Sequence, residues 1–208
     1  MKSGCRLVAG LDEVGRGCLA GPVVAAAVIL KPEAYCLRGR VAEIRDSKLL
    51  PPKVREELVA EIEPLALGIG VGVVPADHID ACNIVEATRM AMMAAVANLP
   101  VRPDHLLIDY LRLPACCIPQ KSIVHGDSVC LSIAAASLVA KVFRDALMRE
   151  QNRTFPGYGF ASNKGYGTPE HIAALQRLGP SPIHRYSFVP VRTCTQQRSA
   201  GGLSPAPP

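Results

Sequence analysis

The chain has 208 residues, 49% hydrophobic and 20% charged, the make-up of an ordinary globular protein with room for one sizeable domain and at most a small appendage. Its formal charge of +5 is compatible with a polyanionic partner but too mild to demand one. Aromatics are only 4% and Trp is absent, so the core must be built from Ala, Val, Leu and Ile, and no apolar run reaches the ~20 residues that span a bilayer.

Arg6 to Asp12 reads as a strand, and Val23 to Leu30 as a second, buried one rich in Val and Ala. Residues 31–50 form a loop ending in "RDSKLLPP", after which Pro51-Pro52 can start a helix to about Ile62. "LALGIGVGVV", 65–74, is a third strand whose alternating glycines predict close backbone approach. A helix capped by Asp77 is expected over 76–99, then a short strand "HLLID" ending on Asp109 and another, "KSIVHGD", ending on Asp127.

"SVCLSIAAASLVAKVFRDALMRE" is a strong helix, small-residue-rich enough to lie tightly on a sheet. After the glycine-rich loop "FPGYGFASNKGYG" comes a full helix signature: Thr168 as cap, Pro169 first, Gly179 past the end. Residues 196–208 have the composition of a disordered tail. The order of elements predicts a mixed α/β sheet flanked by helices: a core over 1–150, a C-terminal helical segment of the same domain over 151–195, and the tail.

The cysteines at 5, 18, 36, 82, 116, 117, 130 and 194 form no CxxC pair and no zinc-like spacing, so buried reduced thiols are expected. The N-terminus moves directly into a strand pattern without a secretory signal, so the cytoplasm is the default.

Three apolar strands end on acids: "VAGLDE" on Asp12 and Glu13, "LLID" on Asp109 and "IVHGD" on Asp127. Strand ends on one edge of an α/β sheet are a natural site, and carboxylates converging there repel unless cations neutralise them. Oxygen-only ligands suit Mg²⁺ or Mn²⁺, and two such ions ~4 Å apart can hold the attacking and leaving oxygens of a phosphoryl displacement. Adjacent strand residues point to opposite faces, so Asp12 and Glu13 cannot both aim inward. Either the strand has ended by Glu13, or one residue contributes its backbone carbonyl.

Together, "GLDEVGRGCLAGPVVAAAVIL", "DSKLL", "LLIDYLRLP", "HGDSVCLSIAAASLVAKVFRD" and "NKGYGTPEH" resemble bacterial ribonuclease HII over about residues 7–192. The resemblance implies an RNase H-like fold. It further implies cleavage of the RNA strand of RNA–DNA hybrids, and on the 5′ side of single ribonucleotides in duplex DNA, leaving 3′-hydroxyl and 5′-phosphate ends. The implied catalytic and metal-binding residues are Asp12, Glu13, Asp109 and Asp127, with two Mg²⁺ or Mn²⁺ ions.

The same resemblance matches Gly15, Arg16 and Gly17 to a loop that senses the 2′-hydroxyl, the group separating RNA from DNA. Glycines let the backbone approach the sugar, and Arg16 can fork onto a phosphate. Tyr166 matches a tyrosine that packs on the sugar after the ribonucleotide, where a flat ring meets deoxyribose best. Lys48, Lys141, Arg144 and Lys164 are candidate phosphate contacts.

The chain departs from the family pattern at His125, where lysine is common, at Phe143, where threonine is common, and in a leucine replacing the second lysine of "DSKLL". These changes bear on substrate grip and leave the carboxylates intact.

Three other readings compete. "GRGCLA" fits a dinucleotide-binding fingerprint, but that motif should open a helix and Pro22 precedes a strand. A non-catalytic hybrid-binding module would gain nothing from acids facing phosphates. Ribonuclease HIII shares the fold but carries an extra N-terminal domain, whereas only about six residues precede the first strand here. A monomer with no membrane association is expected.

Overall fold

Every residue of strand β2 (Val23–Leu30) is buried in the computed structural model of the chain, which describes residues 6–36, 44 and 50–200. An all-apolar "VVAAAVIL" suits a strand flanked on both edges, here by β1 (Val8–Val14) and β3 (Ala66–Val74). With β4 (His105–Asp109) and β5 (Gln120–Ile123) the sheet order is β3-β2-β1-β4-β5. β1 runs antiparallel to β2 and parallel to β4, and β4 is parallel to β5, so the sheet is mixed as expected.

Helix α1 (Pro52–Ile62) starts on its proline, as the sequence predicts. The helix expected over 76–99 is instead two, α2 (Ala76–Cys82) and α3 (Ile84–Ala97), broken at Asn83 with φ +78°. Asn83 Oδ1 accepts from the N–H groups of Val85 and Glu86, so a short amide side chain caps the second helix and favours the break. The β3 glycines do serve close approach. A Cβ on Gly70 would lie 2.1 Å from the Ala95 carbonyl oxygen, and one on Gly72 2.0 Å from that of Ala91, both on α3.

The long helix also starts later than expected. A single turn, α4 (Gly126–Val129), is followed by Cys130 in extended conformation and then α5 (Leu131–Thr154). The shorter α6 (Phe160–Asn163) and the capped α7 (Pro169–Leu178) follow, with Thr168 Oγ1 accepting from the His171 N–H. The expected tail from 196 is corrected in part, because α8 (Val189–Ala200) carries the chain to Ala200 with Val191 and Cys194 buried against Leu19 and Leu175. Residues 201–208 lie outside the described residues.

The chain divides into two compact units. One comprises Met1–Val14, Val24–Val73 and Thr88–Phe143, the other Gly15–Val23, Val74–Ala87 and Arg144–Pro208. The expected boundary near 150 falls inside the unbroken α5. The second unit is discontinuous because Ala20, far away in sequence, packs with Met148, Tyr158, Phe160 and Ala174 in one apolar cluster. No described helix is long and apolar enough to cross a membrane.

The thiols are less uniformly buried than expected. Cys18 and Cys194 are buried, Cys82, Cys116 and Cys130 are half-buried, and Cys117 is exposed; none of these six forms a disulfide.

Candidate active site

In the first unit, β1 and β4 place two acids side by side. Leu11 pairs with Ile108, so Asp12 and Asp109 take the next places on neighbouring parallel strands. Gly10, two residues before Asp12 and on the same face, abuts the backbone of α5, where a Cβ would lie 2.2 Å from the Ser132 carbonyl carbon. That close packing buries Asp12, 4% exposed, beneath the helix and brings it the Ser137 hydroxyl as a hydrogen-bond partner.

Burial pushes the Asp12 carboxyl up to about 7, the Ser137 bond opposes the shift, and the charges of Glu13 and Asp109 push it further up. Strand β1 does not end before Glu13; it runs to Val14, opposite Val24. Asp12 and Glu13 therefore do face opposite ways, and Glu13 N–H donates to Asp12 Oδ1 at 2.8 Å. Their cross-strand partners Ala26 and Ala25 are small, which leaves room beside both acids.

Asp109 is the last residue of β4, and its Oδ1 accepts from the Gly126 N–H at 2.8 Å. Asp127 is not at a strand end. β5 stops at Ile123, and Asp127 sits half-buried in the first turn of α4. His125 and Tyr110, the residues two before Asp127 and one after Asp109, both have left-handed backbones, φ +52° and +57°. Such conformations in non-glycine residues concentrate at functional sites. His125 thus belongs to a turn and not to a strand.

Among the described residues, no three Asp, Glu, His or Cys side chains gather as a metal-binding cluster. The donor set nonetheless fits a hard divalent cation. Such an ion keeps several waters and needs only one or two carboxylates from the protein, and Asp12 and Asp109 are the acids that could supply them. Lys141 is half-buried on α5, and Lys48 lies outside the described residues.

In the second unit, the 15–23 segment is a loop whose carbonyls converge on two buried arginines. Arg185 donates from Nη1 to Arg16 O at 2.8 Å, from Nη2 to Gly15 O at 2.7 Å, and from Nε and Nη2 to Gly21 O at 3.1 and 2.9 Å. Arg144 donates from Nε to Pro22 O, from Nη2 to Ala20 O and from Nη1 to Lys164 O. Both are fully buried, so the reading of Arg144 as a phosphate contact is corrected: its fork is spent on carbonyls.

Burial pulls the Arg185 guanidinium down to about 10, still charged at neutral pH. Gly15, at φ +92°, has no room for a Cβ, which would lie 2.2 Å from Arg144 Nε. Gly17 is exposed and a Cβ there would meet nothing within 4 Å, so its backbone is open to an incoming ligand. Arg16 between them is half-buried.

Tyr166 is 40% exposed, its ring centroid 6.0 Å from the Arg144 guanidinium carbon. Lys164, also half-buried, turns back so that Nζ donates to Ala161 O. Sequence reasoning missed Ser137 and Arg185. Neither carries a motif signal, since an arginine in "SPIHRYSF" reads as a surface charge until its burial is known.

A mixed sheet with acids on adjacent central parallel strands, one of them pushed toward protonation chiefly by burial and further by its acidic neighbours, is the architecture of an RNase H-like nuclease. "GRGCLA" opens no helix, which removes the dinucleotide-binding alternative. The family model for ribonuclease HII matches residues 9–191. The ribonuclease HII of Dehalococcoides mccartyi strain 195 is 53% identical over 193 residues, 92% of this chain and 90% of that protein.

The crystal structure of ribonuclease H2 from Pyrococcus horikoshii OT3 is similar at a TM-score of 0.76 and 24% identity, covering 92% of this chain and 98% of the other. Bst-RNase HIII in complex with Mn²⁺ shares the fold at a TM-score of 0.72 and 18% identity, covering 96% and 72%. The chain belongs to the ribonuclease HII family. It is therefore a metal-dependent nuclease and not a passive hybrid-binding module.

Proposed function

We propose that this chain cuts the RNA strand of RNA–DNA hybrids and the 5′ side of single ribonucleotides embedded in duplex DNA, leaving 3′-hydroxyl and 5′-phosphate ends. The observation that carries the reading is the buried Asp12 carboxyl set beside Asp109 at the next position of neighbouring parallel strands, where burial and the charges of Glu13 and Asp109 all push it toward protonation. A buried carboxylate beside other acids favours a cation as its partner, and a scissile phosphate in their company needs one too.

On this reading Asp12 and Asp109 hold a divalent ion, Mn²⁺ or Mg²⁺, with Asp127 and either the Glu13 carboxylate or its backbone carbonyl completing the site for two. When bound, the ions activate the attacking water and stabilise the charge on the leaving 3′ oxygen. The Gly126 N–H holds Asp109 in place, and the Ser137 hydroxyl orients Asp12.

The loop of Gly15, Arg16 and Gly17 examines the 2′-hydroxyl. A site built to hydrogen-bond that group rejects its absence by a factor of ~10⁴ or more. Tyr166 packs on the following sugar, and Lys48, Lys141 and Lys164 contact phosphates. The protein works as a cytoplasmic monomer in ribonucleotide and RNA-primer removal.

The test is cleavage of a duplex containing one ribonucleotide, with Mn²⁺ or Mg²⁺, beside an all-DNA duplex and the Asp109→Asn variant. The expected result is a single cut 5′ of the ribonucleotide that falls at least 10³-fold in the variant. Equal cutting of the all-DNA duplex, or an undiminished variant, overturns the reading.

A further inference from the structure

Two histidines of the second unit are fully buried and bonded to one another. His171 Nε2 and His184 Nε2 lie 3.1 Å apart. Their outer nitrogens are also engaged: His171 Nδ1 with the Tyr166 carbonyl oxygen at 2.8 Å, and His184 Nδ1 with the Ser181 N–H at 2.9 Å and its hydroxyl at 2.8 Å.

A carbonyl only accepts, so His171 Nδ1 carries its proton and, in the neutral ring, His171 Nε2 is the acceptor. His184 Nε2 must then be the donor, which leaves His184 Nδ1 free to accept from Ser181. All the bonds agree on one pair of tautomers. The chain of donation runs one way: Ser181 N–H to His184, His184 to His171, His171 to Tyr166 O. A proton added to His171 Nε2 would set two N–H groups against each other at 3.1 Å, and one added to His184 Nδ1 would oppose the Ser181 N–H at 2.9 Å.

The neighbourhood holds the rings still. Tyr158 stands with its ring centroid 4.9 Å from that of His184, and Phe160 meets His171 edge-on at 5.3 Å. The recipient of the relay is the backbone of the half-exposed Tyr166. Just before it, Gly165 has φ +83° and donates its N–H to Asn163 Oδ1. The residue thus hangs between a left-handed turn and the start of α7, with its carbonyl accepting from both the Thr168 N–H and His171 Nδ1 at 2.8 Å.

We infer that His184 and His171 are positioning residues: their fixed tautomers lock the Tyr166 carbonyl and thereby set the angle at which the Tyr166 ring meets the sugar after the ribonucleotide. The inference rests on the proposed role of Tyr166. It adds that preference for single embedded ribonucleotides over continuous hybrids depends on two buried rings that never touch substrate. A deoxyribose follows the ribonucleotide in the first substrate and a ribose in the second, so the ratio of kcat/KM values reports the ring's fit.

The experiment measures that ratio for the wild type, Tyr166→Ala, His171→Leu, the double variant and His171→Asn, whose side-chain amide keeps an N–H donor near the Nδ1 position. Tyr166→Ala is expected to lower the ratio ~10-fold. His171→Leu should lower it ~3- to 5-fold in the same direction, through KM, and add nothing in the double variant. His171→Asn should return it to within twofold of wild type.

Should His171→Leu not fold, His184→Phe takes its place, since it removes the Nε2 bond that fixes the His171 ring and leaves that ring anchored by the Tyr166 carbonyl alone. Nitrogen-15 spectra of the wild-type histidines at neutral pH should show His171 protonated at Nδ1 and His184 at Nε2. Reversed tautomers, or a histidine variant that slows both substrates equally while Tyr166→Ala shifts the ratio, overturn the relay alone. An unmoved ratio in an active Tyr166→Ala overturns the role of Tyr166, and the relay with it.

Discussion

Asp109 owes its orientation to a residue without a side chain. The Gly126 N–H holds its Oδ1 at 2.8 Å, and a Cβ on Gly126 would lie 2.6 Å from Ile133 Cδ1 and 3.3 Å from that same oxygen. Ile133 is fully buried and cannot swing into open space, so the crowding reaches the carboxylate. Gly126→Ala should cost ~1–2 kcal/mol of stability as an overpacked site and lower kcat at least tenfold. A denaturation curve and a steady-state assay on the same preparation check both; unchanged kcat with the expected loss of stability would show that Asp109 tolerates the shift. The identity of the acids was legible in the sequence because charges interrupting apolar runs stand out. Their placement was less so. Asp127 read as a strand end because the apolar Ile123-Val124 pair leads into it, whereas the left-handed residue that ends the strand early is His125 and not the glycine beside it.

At the scale of elements, the 15–23 loop is held from inside by guanidinium forks and not by packing alone. Arg185 makes four bonds to three carbonyls, an arrangement that depends on a planar group with several fixed donors. Lysine, a single ammonium on a flexible stem, reaches one or two of those carbonyls at best. Arg185→Lys should therefore raise KM for a ribonucleotide-containing duplex ~10-fold, while the Mn²⁺ concentration giving half-maximal activity stays near wild type. A parallel rise in both would mean that the substitution disturbs ion binding as well as substrate binding. Strands and the capped α7 were readable because their signals are local: a run of Val and Ala, paired glycines, a Thr-Pro start. The arginine cradle was not. It joins residues 144 and 185 to carbonyls of residues 15–22, and a carbonyl carries no mark of its residue type.

Across the whole molecule, two buried groups pull stability in opposite directions with pH. Burial, with the charge of His171 second, lowers His184 from 6.5 to about 3, so between those values the unfolded chain binds the extra proton and stability falls as pH falls. Asp12 is raised from 3.8 to about 7, so over that range the folded chain binds the extra proton and stability falls as pH rises. Each effect amounts to ~1.4 kcal/mol per pH unit at full strength, and between about 4 and 6.5 they largely cancel. In metal-free protein Asp12→Asn removes one side of the balance. Urea unfolding of the variant should then gain stability with rising pH across this window by up to ~1.4 kcal/mol per unit more than the wild type. By pH 7 the metal-free variant should be the more stable of the two. Saturating Mn²⁺ should reverse that order, because the ion stabilises the folded wild type through the carboxylate that the variant lacks. Parallel wild-type and variant curves without metal would mean that Asp12 ionises in the folded protein as easily as in the unfolded chain. The case for a cation at the β1–β4 strand ends would then lose its electrostatic footing.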